Sequence, residues 1–309
     1  MVSVVFPYYK RGDVFALALD SVLRQDFADY ELIVVDNGSK DGVRQVVESH
    51  DAAVRLIELA ENRGACGARN AGIAAARGEI IVVLDDDVGF VSPFELSRLV
   101  SVFDQHPDFQ VLAFQICDPV TGDLRLRDWC HPRDWKKFSQ SEFETHHFGE
   151  GAMAARREVF DKTGLYYEPF FYGAEGHDME IRVLNQGFRI LYAPRVRVWH
   201  RVSEKARSVD RQYYYFTRNY IWMAYKDYPA LAGLQFLTIK MGMMLYFTLR
   251  LKCYASFWRG VRDGIRGLPK VRAARTPATR ETLRRWAEFE RERPGWRARL
   301  ARHSEKPQI

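Results

Sequence analysis

Four short, almost wholly apolar runs punctuate the first third of the chain: "VSVVF" from Val2, "ELIVVD" from Glu31, "AVRLIEL" from Ala53 and "EIIVVL" from Glu79. Each is short enough for a strand, and none alternates polar with apolar residues, so both of its faces must be covered. The segments between them repeat apolar residues at helical spacing: "DVFALALDSVLRQ", "DGVRQVVESH" and the Ala-rich "GACGARNAGIAAARG", for which Gly78 is the expected C-cap. Strand–helix alternation of this kind predicts an α/β protein with a mostly parallel sheet flanked by helices. Open sheets of this class bind ligands outside the carboxyl ends of their strands. Asp36 and the run Asp85-Asp86-Asp87 stand at two such ends, so the crowded acids are expected on the rim of a cleft.

The later chain is less regular. "FQVLAFQIC" and "FRILYAPRVRVWH" read as strands, and "REVFDKTG" and "DMEIRVLNQG" as short helices, the latter stopped by Gly187. From about residue 206 the pattern becomes helical and basic, which divides the chain into an α/β unit over 1–205 and a helical C-terminal region over 206–309. At 309 residues there is enough chain for a large core, and the net charge of +6 suits anionic partners. Cys66, Cys117, Cys130 and Cys253 show no paired spacing and are expected to be reduced thiols. The strand-like opening predicts no signal peptide, and Lys240 and Arg250 interrupt the apolar stretch from Leu231 to Leu251. The expected location is therefore cytoplasmic, with two readings for the C-terminal helices. They form either a basic amphipathic surface on the inner face of the plasma membrane, or a buried or homo-oligomeric contact. Basic residues are interleaved with aromatics, yet no nucleic-acid-binding module is recognisable.

Three carboxylates at a strand end need a cation nearby. On an extended chain Asp85 and Asp87 would face the same side, suited to Mg²⁺ or Mn²⁺ shared with a diphosphate, while Asp86 would turn toward the loop. A solvated acidic turn is the plainer alternative. Glu175, Asp178 and Glu180 open a short helix, where acids either meet the helix dipole or supply a general base. His200 ends a strand, as a surface group or a metal ligand. Gly64 and Gly67 flank a helix start beside Arg63, Arg69 and Asn70, a combination that can hold a pyrophosphate or simply allow tight packing. Neither GxGxxG nor GxxxxGK[ST] occurs, which disfavours dinucleotide and P-loop chemistry.

In order along the chain, "VSVVFPYYKRGDVFALALDSVLRQ", "YELIVVDNGSKDG", "ENRGACGARNAGIAAARGEIIVVLDDDV", "GEGAMAARREVFDKTG" and "FFYGAEGHDMEIRVLNQGFRILYAPRVRVWH" resemble the family 2 glycosyltransferases over about residues 1–205. The resemblance implies a GT-A, Rossmann-like fold and a metal-dependent, inverting transfer of sugar from a UDP- or dTDP-type donor to a hydroxyl. The acceptor would be a glycan, a lipid-linked sugar or a small molecule. It implies donor contacts at Pro7, Tyr8, Asp36, Arg63, Arg69 and the Asp85–Asp87 trio, with Asp87 and His200 on Mn²⁺ or Mg²⁺. Asp178 falls on the acid usually cast as base, with Glu175 as the minority candidate, and Glu150, Gly151 and His177 fall on the acceptor side. Two departures stand out: His177 replaces an acid, and Glu150 occupies a position where glycine is commoner. The rival readings are a nucleotidyltransferase on a similar sheet and a non-catalytic sugar-nucleotide or glycan binder.

Overall fold

The computed structural model describes residues 1–50, 54–201 and 208–294. The four apolar runs form strands β1 (Val2–Tyr8), β2 (Tyr30–Asp36), β3 (Val54–Glu58) and β4 (Ile80–Leu84). They pair in parallel in the spatial order β3-β2-β1-β4. Every residue of β1 is buried, as expected of a strand covered on both faces. The connecting helices are α1 (Gly12–Leu23), α2 (Val43–Ser49) and α3 (Gly64–Ala75). In α1, Phe15, Ala18, Leu19 and Val22 are buried at the spacing of one helix face. Each such large apolar side chain contributes about 1.5–3 kcal/mol on burial. Helix α3 ends sooner than the sequence suggests, capped by Ala76 in extended conformation. Gly78 instead lies against β1, its N–H donating to Ser3 Oγ at 2.7 Å.

Beyond β4 come β5 (Val88–Phe90), α4 (Glu95–Gln105), β6 (Val111–Cys117), α5 (Trp135–Phe138), β7 (Phe143–Thr145), β8 (Ala152–Arg156), α6 (Arg157–Thr163), α7 (Glu175–Asn185) and β9 (Ile190–His200). The sheet becomes mixed here. Strand β8 runs antiparallel between β4 and β6, β6 pairs in parallel with β9, and β5 and β7 pair antiparallel with β9. Its register shifts between Phe114 and Gln115, opposite the stretch of β9 that contains Pro194, which has no N–H for the ladder. The antiparallel β4–β8 pairing sets the end of β4 beside the start of β8, so that the Asp85 N–H donates to the Gly151 carbonyl at 3.0 Å.

Four helices follow: α8 (Val209–Lys226), α9 (Ala230–Arg250), α10 (Tyr254–Val271) and α11 (Arg280–Arg291). The chain breaks between α9 and α10 at Leu251–Cys253, where Lys252 has a φ of 57°. Gly260, Gly264 and Gly267 form a buried stripe on α10 against α8; a Cβ on Gly267 would lie 2.4 Å from the Trp222 ring. The Trp222 indole N–H closes this contact on the Gly264 carbonyl at 2.8 Å. Buried Asn219 of α8 donates to the carbonyls of Phe170, Tyr172 and Gly173 at 3.1, 2.9 and 2.6 Å. The helical C-terminal region thereby fixes a loop that reaches the cleft. The charged run "TRETLRRWAEFERERPGWRARLARH" reads from sequence as a tail helix broken at Pro294, and its part beyond Pro294 lies outside the described residues.

By length and composition α9 can cross a membrane, with a mean hydropathy of 1.4 and only 11% of the window buried. This corrects the sequence reading that Lys240 and Arg250 place it short of a span, because the flanking apolar residues outweigh the two charges.

Candidate active site

The carboxyl ends of β1 and β4 open into a cleft. Pro7 and Tyr8 end β1 on one wall, with Asn37, Asn62, Gly64 and Ala65 from the neighbouring loops. Asp85, Asp86 and Asp87, which follow the adjacent strand β4, line the cleft beside them. Phe171 and Tyr172 of the loop held by Asn219, and Ser208, Arg211 and Gln212 at the start of α8, complete the lining.

The acids do not lie on an extended chain. They occupy the turn between β4 and β5, so two-residue alternation fails and all three line the cleft. Asp86 in particular does not turn away. It accepts the Tyr9 N–H at 2.8 Å and pairs with Arg11 at 3.2 Å. Burial raises its pKa well above the carboxylate range, against the pull of Arg11. Arg11 also approaches Asp87 at 3.3 Å. It is a cation that the acids require and that sequence spacing could not pair with them.

Asp87 Oδ1 lies 3.5 Å from His200 Nε2, while His200 Nδ1 lies 3.0 Å from Asp128. Burial pulls the imidazole down, but Asp128 and Asp87 outweigh it and raise its pKa to about 9. An oxygen and an imidazole nitrogen so close, the ring oriented by a second carboxylate, fit a divalent cation. The fold thus brings Asp87 and His200 together.

Other expected donor contacts sit differently. Asp36 is nearly buried and accepts the Ser39 N–H at 2.8 Å; its neighbour Asn37 lines the cleft instead. Arg63 forms a two-pronged pair with Glu168 at 2.6 and 2.7 Å, and only its neighbours Asn62 and Gly64 reach the wall. Arg69 lies beneath the acids. Almost wholly buried, it bridges Asp85 at 2.7 Å and Glu175 at 3.1 Å. It therefore braces Asp85 and is not positioned to hold a pyrophosphate.

The expected base is also misplaced. Asp178 has no exposed surface and is held by Arg182 at 2.7 Å and by a short contact to Lys226. Burial alone would raise its pKa, but these two cations hold it down to about 2. A carboxylate locked between two cations is a weak proton acceptor, so Asp178 is a structural anion. Glu180 caps the Phe148 N–H at 3.0 Å and pairs with His147 at 2.9 Å. His177 faces no acceptor: it stacks on Trp286 at 4.9 Å and bonds to the Tyr228 hydroxyl at 3.0 Å. Helical periodicity could not foresee this, because Trp286 arrives from α11.

Glu150 and Gly151 do lie beside the acids. A Cβ on Gly151 would fall 2.1 Å from Asp85 Cγ, so the glycine is what lets the carboxylate in. Glu150 accepts the Gly176 N–H at 2.9 Å. Burial and neighbouring Glu175 raise its pKa to about 8. The residues that sequence reasoning missed are Arg11, Asn37, Asn62, Phe171, Tyr172 and Arg211. Arg11, Asn37, Asn62, Phe171 and Tyr172 lie within the quoted family segments but were given no role there, whereas Arg211 lies outside them.

A family model for glycosyl transferase family 2 matches residues 3–164. Among curated relatives, the chain is 43% identical over 104 residues to the succinoglycan biosynthesis protein ExoO of Rhizobium meliloti (strain 1021), covering 33% of this chain and 30% of that one. It is 35% identical over 98 residues to the UDP-Glc:alpha-D-GlcNAc-diphosphoundecaprenol beta-1,3-glucosyltransferase WfgD of Escherichia coli, covering 31% and 39%. The matched segments thus span about a third of each relative's length. Among solved structures, the mannosyltransferase PcManGT of Pyrobaculum calidifontis, in complex with GDP-Man and Mn²⁺, superposes with a TM-score of 0.55 at 21% identity, covering 98% of this chain and 83% of that one. That likeness bears on the fold, which is GT-A.

Proposed function

The chain belongs to glycosyl transferase family 2, and on that premise we propose that this glycosyltransferase moves a sugar, with inversion, from a nucleoside diphosphate sugar to a hydroxyl of a glycan or lipid-linked acceptor. The observation that carries the reading is the layout of the cleft. Its β1 side offers Pro7, Tyr8 and Asn37 for a base and ribose, and its β4 side offers three carboxylates beside Arg11 and Arg211. A neutral, partly aromatic lining beside a charged one, on the adjacent strands β1 and β4, suits a ligand that is flat at one end and a diphosphate at the other.

Asp87 and His200 would hold a divalent cation, Mn²⁺ or Mg²⁺, which when bound offsets negative charge on the departing diphosphate. The rest falls to this chain's own groups. Arg69 fixes Asp85, Arg11 balances Asp86 and Asp87, and Arg211 stands where it can meet a phosphate oxygen. Phe171 and Tyr172 form an apolar wall that limits water near the reacting carbon. The relative named for UDP-Glc and the structure bound to GDP-Man carry different bases, so the donor is given as a class.

The test is a panel of UDP-, dTDP- and GDP-sugars, with and without Mn²⁺, read by thermal stabilisation and by metal-dependent release of nucleoside diphosphate. At least one donor should stabilise the chain in the presence of metal, and Asp87→Ala should lose the metal-dependent part. If no nucleotide sugar binds, or if Asp87→Ala binds as the parent does, the reading is wrong.

The location we propose is cytoplasmic, peripheral to the inner face of the plasma membrane. Leu234, Ile239 and Leu249 of α9 and Trp258 and Ile265 of α10 are exposed, next to exposed Arg259, Arg262 and Arg266. Apolar and aromatic side chains mixed with arginines complement an anionic lipid surface. Flotation with anionic vesicles should capture the chain and neutral vesicles should not. Equal capture of a Trp258→Glu, Ile265→Glu variant, or a stable dimer in solution that hides this face, would refute it.

A further inference from the structure

We propose that Glu150 is the catalytic base of this enzyme, and that Gly176 is the residue that makes room for it. The inference rests on the transferase reading and names the proton acceptor which that reading leaves open. Four acids lie near the N-terminus of α7, and three are committed elsewhere. Asp178 is fixed by Arg182 and Lys226, Glu180 by His147 and the Phe148 N–H, and Glu175 by Arg69 at 3.1 Å while almost wholly buried.

Glu150 differs in three respects. It is partly exposed, whereas Glu175, Asp178 and Glu180 are buried. It precedes Gly151, which packs on the carboxyl of Asp85, so it stands beside the acid rim. Its Oε1 takes the Gly176 N–H at 2.9 Å in the first turn of α7, leaving Oε2 for an incoming proton. The seat is a close fit. A Cβ built on Gly176 would lie 2.1 Å from Glu150 Cγ, 2.2 Å from Oε1 and 2.5 Å from Cδ. Any side chain at 176 would project into the volume that the Glu150 carboxyl fills. The space is thus served by either position, and in this chain β8's leading loop supplies the acid in place of the helix.

The electrostatics suit the task. Burial most disfavours a negative charge at Glu150, Glu175 and Glu180 on α7 and Asp85 after β4 act the same way, and Arg69 on α3 favours it. The carboxylate is accordingly more basic than a solvated one. In the step, Glu150 takes the proton of the acceptor hydroxyl as that oxygen attacks the anomeric carbon. The bond from that carbon to the diphosphate oxygen breaks, and the nucleoside diphosphate leaves with the bonding pair.

The experiment uses the donor that stabilises the unmodified chain, and follows its metal-dependent hydrolysis, in which water takes the acceptor's place. Glu150→Gln should lower turnover roughly 10²–10⁴-fold, the usual worth of a general base, while donor affinity changes less than about threefold. The rate should rise with pH along a limb near 8 in the parent, and that limb should be absent in Glu150→Gln. Gly176→Asp alone should be impaired, because its side chain displaces Glu150. The paired variant Glu150→Gly, Gly176→Asp should recover at least about tenfold over Glu150→Gly by delivering a carboxylate to the same place. Undiminished turnover in Glu150→Gln, or no recovery in the pair, overturns the role. Donor binding lost in step with turnover overturns it too, since Glu150 would then serve the donor. Failure of the unmodified chain to bind any donor overturns the transferase reading along with it.

Discussion

Replacing Asp178 by Asn separates a structural acid from a chemical one. Asp178 is fully buried between Arg182 and Lys226, and Lys226 also meets Asp227 at 2.7 Å. Its pKa falls from 3.8 to about 2. That difference corresponds to about 2–3 kcal/mol of stability, present above pH ~4 and lost as pH falls toward 2. Removing the charge also strands two buried cations, for which the usual cost is about 3–5 kcal/mol. Asp227 offsets part of it: burial, then Asp178, raises its pKa, so without Asp178 it ionises more readily and pairs with Lys226. The net expectation is a loss of about 2–4 kcal/mol, or a Tm lower by roughly 3–6 °C. Urea unfolding at pH 7 and at pH 3 measures it, and the gap between parent and variant should narrow at the lower pH. Below its Tm the variant should keep donor affinity and most of its turnover. A variant as stable as the parent but inactive would refute the reasoning and return Asp178 to the chemistry.

Arg69→Met leaves Asp85 and Glu175 unpaired in a buried setting, so it should cost about 3–5 kcal/mol in urea unfolding and weaken metal-dependent donor binding by calorimetry. Gly64 has a φ of +74°, and a Cβ there would lie 2.2 Å from the Phe171 carbonyl oxygen. Gly64→Ala should therefore both destabilise the fold by about 1–3 kcal/mol and reduce donor affinity, since Phe171 forms a wall of the cleft. Burial lowers the His147 pKa, but Glu180 and Glu290 overcome this and raise it to about 9. Its contribution to stability is full below pH ~6.5 and disappears as pH rises through about 9. His147→Gln should flatten that part of the unfolding free energy measured between pH 6 and 10.

The order of elements around the cleft was legible because it depends on local patterning. Runs such as "ELIVVD" and "EIIVVL" cannot bury both faces except inside a covered sheet. The acids that follow them must then lie at strand ends, which placed Asp36 and Asp85–Asp87 on a cleft rim from sequence alone. Which acid does what was not legible, because it depends on partners distant in sequence. Lys226 of α8 neutralises Asp178, and Trp286 of α11 takes His177 into aromatic packing. Arg69 of α3 secures Glu175, which leaves Glu150. Strand and helix periods arise within a few residues, so the sequence by itself determined the sheet and its rim. The ionisation and reach of a carboxylate depend on the few ångströms around it, and only the tertiary structure decides what fills them.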